Sequence, residues 1–109
     1  MSKQIVFEFE GKDYALEFTR KSVETMERQG FDPDKISERP LTMLPALFSG
    51  AFIANHSGTK RKVIDSIFEK MKGKKGLLTA LVEMYNEPIE ALLEDEEDDG
   101  KNVEWEQNF

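Results

Sequence analysis

Large apolar residues recur at every second position near the start of the chain. Ile5, Phe7 and Phe9 alternate with Val6, Glu8 and Glu10, and Tyr14, Leu16 and Phe18 alternate with Ala15 and Glu17. A period of two sends successive side chains to opposite faces, which is the pattern of a strand with one buried face. Between the two runs Gly11, flanked by Lys12 and Asp13, supplies the positive φ of a tight turn. Residues 4–18 are therefore predicted to form a β-hairpin.

Beyond Phe18 the period lengthens to that of a helix. Thr19 is a fitting N-cap for a helix over about 20–29, with Val23 and Met26 inward and Glu24, Glu27 and Arg28 outward. Gly30 is placed to end it in the left-handed conformation, and Phe31 to fold back on its last turn. Residues 32–40 contain Pro33 and Pro40 and read as a connector. Leu41, Leu44, Phe48 and Phe52 then recur at helical spacing, and no charged residue occurs from Leu41 to Asn55. This predicts one central helix over 41–55, with Pro45 tolerated in its first turn.

His56-Ser57-Gly58 is a break, and Ser57 or Thr59 is expected to cap a helix over 59–72. Its inner stripe is Val63, Ile64, Ile67, Phe68 and Met71. A further helix is predicted over 77–93, with Leu78, Leu81, Met84 or Tyr85, Ile89 and Leu92 inward and Pro88 kinking or splitting it. The fold expected is α+β, mainly α: a single domain over 1–93 with its hairpin packed on a bundle of about four helices. Glu94–Asp99 is a run of six acids, so 94–109 is predicted to be a disordered acidic tail carrying Val103, Trp105 and Phe109.

Charge sharpens this picture. The 109 residues sum to −7, but unevenly. Residues 57–82 hold 7 basic and 2 acidic side chains, whereas residues 83–109 hold 11 acidic and 1 basic. A basic middle followed by an acidic end makes a polarised molecule. The chain has no cysteine, which excludes disulfides, thiolate metal sites and thiol catalysis and fits a reducing cytoplasm. Met1–Gln4 leads into the alternating segment, so no signal peptide is expected, and no apolar run approaches the roughly 20 residues of a membrane span.

Candidate chemistry is sparse. His56 is the only histidine, so it can complete neither a metal site nor a triad, and it reads as a helix-terminal residue bonding backbone or water. Glu83, Glu87 and Glu90 form an exposed stripe, and the acidic run lacks the spacing of a calcium loop. Gly73-Lys74-Lys75-Gly76 follows a helix and lacks phosphate-loop spacing. Lys60-Arg61-Lys62 at a helix start has the position of a helix-turn-helix contact, but the acidic tail would compete with phosphates. No catalytic residue, cofactor site or metal site is assigned, and neither nucleic acid nor membrane is expected as a partner.

What remains is protein binding. The uncharged segment 41–55 is either covered completely by the hairpin and its neighbouring helices, or leaves apolar surface for a partner or a second subunit. The groove beside Leu41, Met43, Leu47, Phe48 and Phe52 is the candidate partner-binding surface.

Several local runs carry a family resemblance. The hairpin with Phe7, Phe9, Tyr14 and Phe18, then Thr19-Arg20-Lys21-Ser22-Val23, Gly30-Phe31-Asp32 and Leu44-Pro45-Ala46-Leu47-Phe48, together with a basic-to-acidic pair of final helices, resemble bacteriophage tail assembly chaperones. These are small proteins of long-tailed phages and prophages of Gram-positive hosts, and the similarity covers about 4–93. It implies a non-enzymatic chaperone in the host cytoplasm that keeps the tape measure protein soluble and recruits tail tube subunits. It brings no universal binding residues with it. An adaptor for one globular partner and a small DNA-linked regulator are the alternative expectations.

Overall fold

The computed structural model describes residues 3–94 and 103–107. It has an N-terminal hairpin followed by helices, the α+β and mainly α architecture. Strands β1 (Ile5–Phe9) and β2 (Lys12–Leu16) pair antiparallel with Ile5 opposite Leu16 and Phe7 opposite Tyr14. The Phe7 and Tyr14 rings stack with centroids 5.2 Å apart, a cross-strand aromatic pair on the inward face.

The turn needs positive φ at both of its central residues. Gly11 takes φ +78°, and Glu10 takes φ +50°. An L-residue pays about 1–2 kcal/mol in the left-handed region, less for asparagine. Glu10→Asn is therefore expected to raise the urea midpoint, by about 0.5–1 kcal/mol of stability at an unchanged slope. A midpoint at or below that of the parent would contradict this turn geometry.

Helix α1 (Arg20–Arg28) begins on a reciprocal cap. The Ser22 amide donates to Thr19 Oγ1 at 3.0 Å, and the Thr19 amide donates to Ser22 Oγ at 2.8 Å. Gly30 ends the helix region at φ +93°, and the Phe31 amide donates back to the Met26 carbonyl at 3.0 Å. A 3-10 turn (Pro33–Lys35) leads to α2 (Pro40–Gly50), α3 (Ile53–His56), α4 (Arg61–Lys70) and α5 (Lys74–Leu93).

The single helix expected over 41–55 is two helices. At the junction the Ala51 carbonyl accepts from the Glu17 amide at 3.2 Å, so it leaves the helical ladder and serves β2 instead. His56 Nε2 accepts from the Ala15 amide and Asn55 Nδ2 donates to the Ala15 carbonyl, each at 3.0 Å. Side chains and one carbonyl thus close the outer edge of β2, where a third strand would otherwise pair. Helix α2 starts at Pro40, which places Pro45 in its second turn rather than its first. The Leu41 carbonyl consequently has no fourth-residue donor, and Leu41 is exposed. Lys60, not Ser57 or Thr59, occupies the cap position of α4 and makes no side-chain cap bond. Helix α5 opens three residues earlier than expected and runs unbroken through Pro88. The expected disordered tail falls largely outside the described residues; within it, 103–107 have no regular secondary structure.

The core gathers around α2. Leu47, Phe48, Ala51 and Phe52 are buried among Tyr14, Leu16, Ile64, Ile67 and Leu81. The Phe48 ring lies 5.2 Å from Phe52 and 4.9 Å from Phe68. A second aromatic group joins Phe18 and Phe31 to Tyr85 of α5 at 5.6 and 5.2 Å.

Gly50 is part of this packing, because a Cβ there would overlap the Met26 side chain. Alanine normally gains about 1 kcal/mol over glycine inside a helix. Overpacking costs about 1–3 kcal/mol, and the buried Met26 side chain would have to shift to admit the methyl. Gly50→Ala is expected to lose about 1 kcal/mol net in chemical denaturation; a gain would show that Met26 repacks freely.

Candidate functional site

The five residues expected to line a docking groove do not share one open surface. Leu47, Phe48 and Phe52 are 0–1% exposed and Met43 is 8% exposed, so four of the five belong to the core. Leu41, 92% exposed, stands apart from them. The physical reason is that the hairpin edge, α1, α4 and α5 take up successive faces of the α2–α3 unit. Met43 and Phe52 still contribute to the wall of a depression of about 350 Å³, whose rim includes Gln29, Thr42, Thr59 and Arg61.

Among the described residues, open apolar surface lies elsewhere. Leu77, Leu81, Met84 and Tyr85 of α5 are buried, but from Glu90 to Glu94 every residue is exposed. Ile89, Leu92 and Leu93 present 37%, 55% and 80% of their surface. Spacings of three and four residues put these side chains on neighbouring positions of one helix. Two pockets adjoin them. One, about 400 Å³, is lined by Phe18, Thr19, Arg20, Glu87, Pro88, Ala91 and Leu92. The other, about 300 Å³, is lined by Arg20, Val23, Glu24, Glu27, Pro88, Ile89 and Leu92. They share Arg20, Pro88 and Leu92, so together they form one grooved surface between α1 and the last turns of α5.

Local folding explains this placement. The Thr19–Ser22 cap fixes where α1 starts, which sets Arg20, Glu24 and Glu27 along the rim while Val23 faces the floor. Phe18 and Phe31 clamp Tyr85, and α5 then extends past the last residue it buries. Three carboxylates line the groove against one guanidinium, Arg20, and Arg28 is ion-paired with Glu24.

The negative field reaches the adjoining core. The Tyr85 hydroxyl is held above its ordinary pKa of 10.0, first by burial, then by the Glu27 and Asp32 carboxylates. A folded-state pKa above the unfolded value contributes stability that is complete below about pH 10 and is lost as pH rises through the folded value. Unfolding free energy measured between pH 9 and 12 should therefore fall less steeply in Tyr85→Phe than in the parent. Parallel curves would contradict this assignment.

The groove's described lining holds Thr19, Arg20 and three carboxylates, and no histidine, serine or lysine. Among the described residues no group of three or more His, Cys, Asp or Glu side chains is placed to hold a metal ion. His56 has its Nε2 engaged by β2, in the structural role expected from sequence. Much of the basic segment is also occupied: Arg61 pairs with Asp65 at 3.0 Å, and Lys74 Nζ closes the end of α4 on the Glu69 and Met71 carbonyls. Lys70 lies over the Phe9 ring at 5.5 Å. No described helix is long and apolar enough to cross a membrane. Val103 and Trp105 are 89% and 81% exposed.

Sequence reasoning placed Ile89 and Leu92 on the inner side of their helix, and so missed the groove. Their spacing was the available signal, but it is the same for a buried stripe and an open one. Neither a curated protein nor a solved structure matches the chain. A family profile does match, over residues 1–109, and the chain belongs to that family, described as Domain of unknown function (DUF5055).

Proposed function

We propose that this protein is a non-enzymatic chaperone of phage tail assembly, holding helical segments of a tape measure protein in the host cytoplasm and meeting tail tube subunits before they polymerise. The observation that carries the proposal is the unpartnered apolar end of α5, where Ile89, Leu92 and Leu93 stand open beside two pockets. An apolar groove takes an amphipathic helix through anchors spaced three and four residues apart. The charged rim keeps the free surface hydrated and limits association between copies. The sequence resemblance to tail assembly chaperones supplies the client; the groove supplies a place to hold it.

Co-expression with the tape measure product of the same tail operon tests the proposal. The parent chain is expected to keep that product in the soluble fraction, and the Ile89→Asp, Leu92→Asp double variant to leave it in the pellet. A tape measure that stays soluble with the folded double variant would refute the groove as the holding surface. Recovery of a single saturable complex with one globular partner would favour an adaptor instead.

A further inference from the structure

Resting on that reading of the groove, we propose that it selects a cationic amphipathic helix: apolar anchors on one face, lysine and arginine on the flanks. Charge along the groove carries this inference. Its lining holds Glu24, Glu27 and Glu87 against Arg20, and because Glu24 is ion-paired with Arg28 the uncompensated carboxylates are Glu27 and Glu87. From Glu83 to Glu94 the chain has four acidic side chains and no basic one, so every charge on the last turns of α5 is a carboxylate. On the α1 side, Lys21 and Arg28 are the remaining basic groups; neither lines the groove, and Arg28 is ion-paired with Glu24. Opposite charges across an interface speed encounter and set orientation, whereas like charges brought together penalise the wrong partner.

Two occupants from the same chain fit less well. The segment Val103–Gln107 offers Val103 and Trp105 as anchors but separates them with Glu104, and Glu106 follows. Its two apolar side chains remain exposed. A second copy could bring only α4 as a basic amphipathic helix, and the apolar stripe of α4, Ile64 and Ile67, is buried in its own core. The partner is therefore a separate cationic helix.

Two labelled 18-residue helical peptides with identical leucine spacing, one with lysine and arginine on its polar face and one with glutamate, provide the probe. Binding to the full chain is followed by fluorescence anisotropy at low and high salt. The cationic peptide is expected to bind at least about tenfold more tightly, with an advantage that shrinks as salt screens the rim. Replacing Glu24, Glu27 and Glu87 together by glutamine should remove most of that advantage, while Ile89→Asp with Leu92→Asp should abolish binding of both peptides. Equal affinities that are lost in the Ile89/Leu92 variant would overturn the charge selectivity and leave the helix-holding groove standing. Binding of neither peptide would overturn the groove itself. Cationic binding untouched by the Ile89/Leu92 variant would place the contact on the acidic tail and refute the inference.

Discussion

Phe48→Ala is expected to destabilise the protein by about 3–5 kcal/mol, the usual cost of truncating a fully buried aromatic side chain. Phe48 is 0% exposed, and its ring is enclosed by those of Phe52 and Phe68. Truncation removes transfer energy and leaves a cavity where the hairpin, α2 and α4 converge. Domains have about 5–15 kcal/mol of stability to lose, so this one substitution takes a large fraction of it. Urea denaturation followed by circular dichroism measures the loss directly. A loss below about 1 kcal/mol would mean that Phe48 is not the centre of the core. The same burial makes an aspartate at Phe48 or Leu47 uninformative about docking, because such a chain fails to fold before it fails to bind.

Ile89→Asp combined with Leu92→Asp is expected to do the reverse. Ile89 is 37% and Leu92 55% exposed, so folding stability should fall by about 1–2 kcal/mol, less than for Phe48→Ala. Client affinity should fall by about 100-fold or more, since two anchors of at least 2 kcal/mol are lost and charges enter an apolar contact. The pair of experiments separates roles that the sequence places together. On the proposed reading, Phe48 governs stability through the core, and Ile89 with Leu92 governs recognition through the surface. Equal loss of stability in both variants would erase that separation.

Local chemistry was readable from the chain wherever one element settles its own geometry. The alternation through Phe9 and Phe18, the Thr19 cap, the Gly30 terminator and the inward stripe of Ile64 and Ile67 all follow from neighbours within a few residues. Longer-range features were not. The junction at Ala51 depends on a carbonyl turned toward Glu17, and the engagement of His56 depends on Ala15, 41 residues earlier. Nothing in residues 41–55 announces either contact. The uncharged stretch correctly indicates burial on several sides, but how much of its surface stays uncovered depends on how many elements pack around it. Most of that surface is covered by the hairpin edge, α1, α4 and α5, and a depression beside Met43 and Phe52 remains. Conversely, the spacing of Ile89 and Leu92 matches that of Leu78 and Leu81, yet α5 outruns the body that would cover its final turns.

On the proposed reading, charge along the groove gives the exposed surface its specificity. Glu24 and Glu27 on the α1 wall and Glu87 on the α5 wall would disfavour an anionic partner under the proposed reading, while the apolar floor remains available. A helix bound there would be held mainly by its anchors and positioned by its charges.

Methyl chemical-shift mapping tests the central claim most directly. With an amphipathic tape measure helix added to the full chain, perturbations should concentrate on the Val23, Ile89, Leu92 and Leu93 methyls and leave Ile64 and Ile67 unmoved. Perturbation concentrated around Leu41, Met43 and Thr59, or no perturbation at saturating helix, would contradict the assignment of the α1–α5 groove as the client surface.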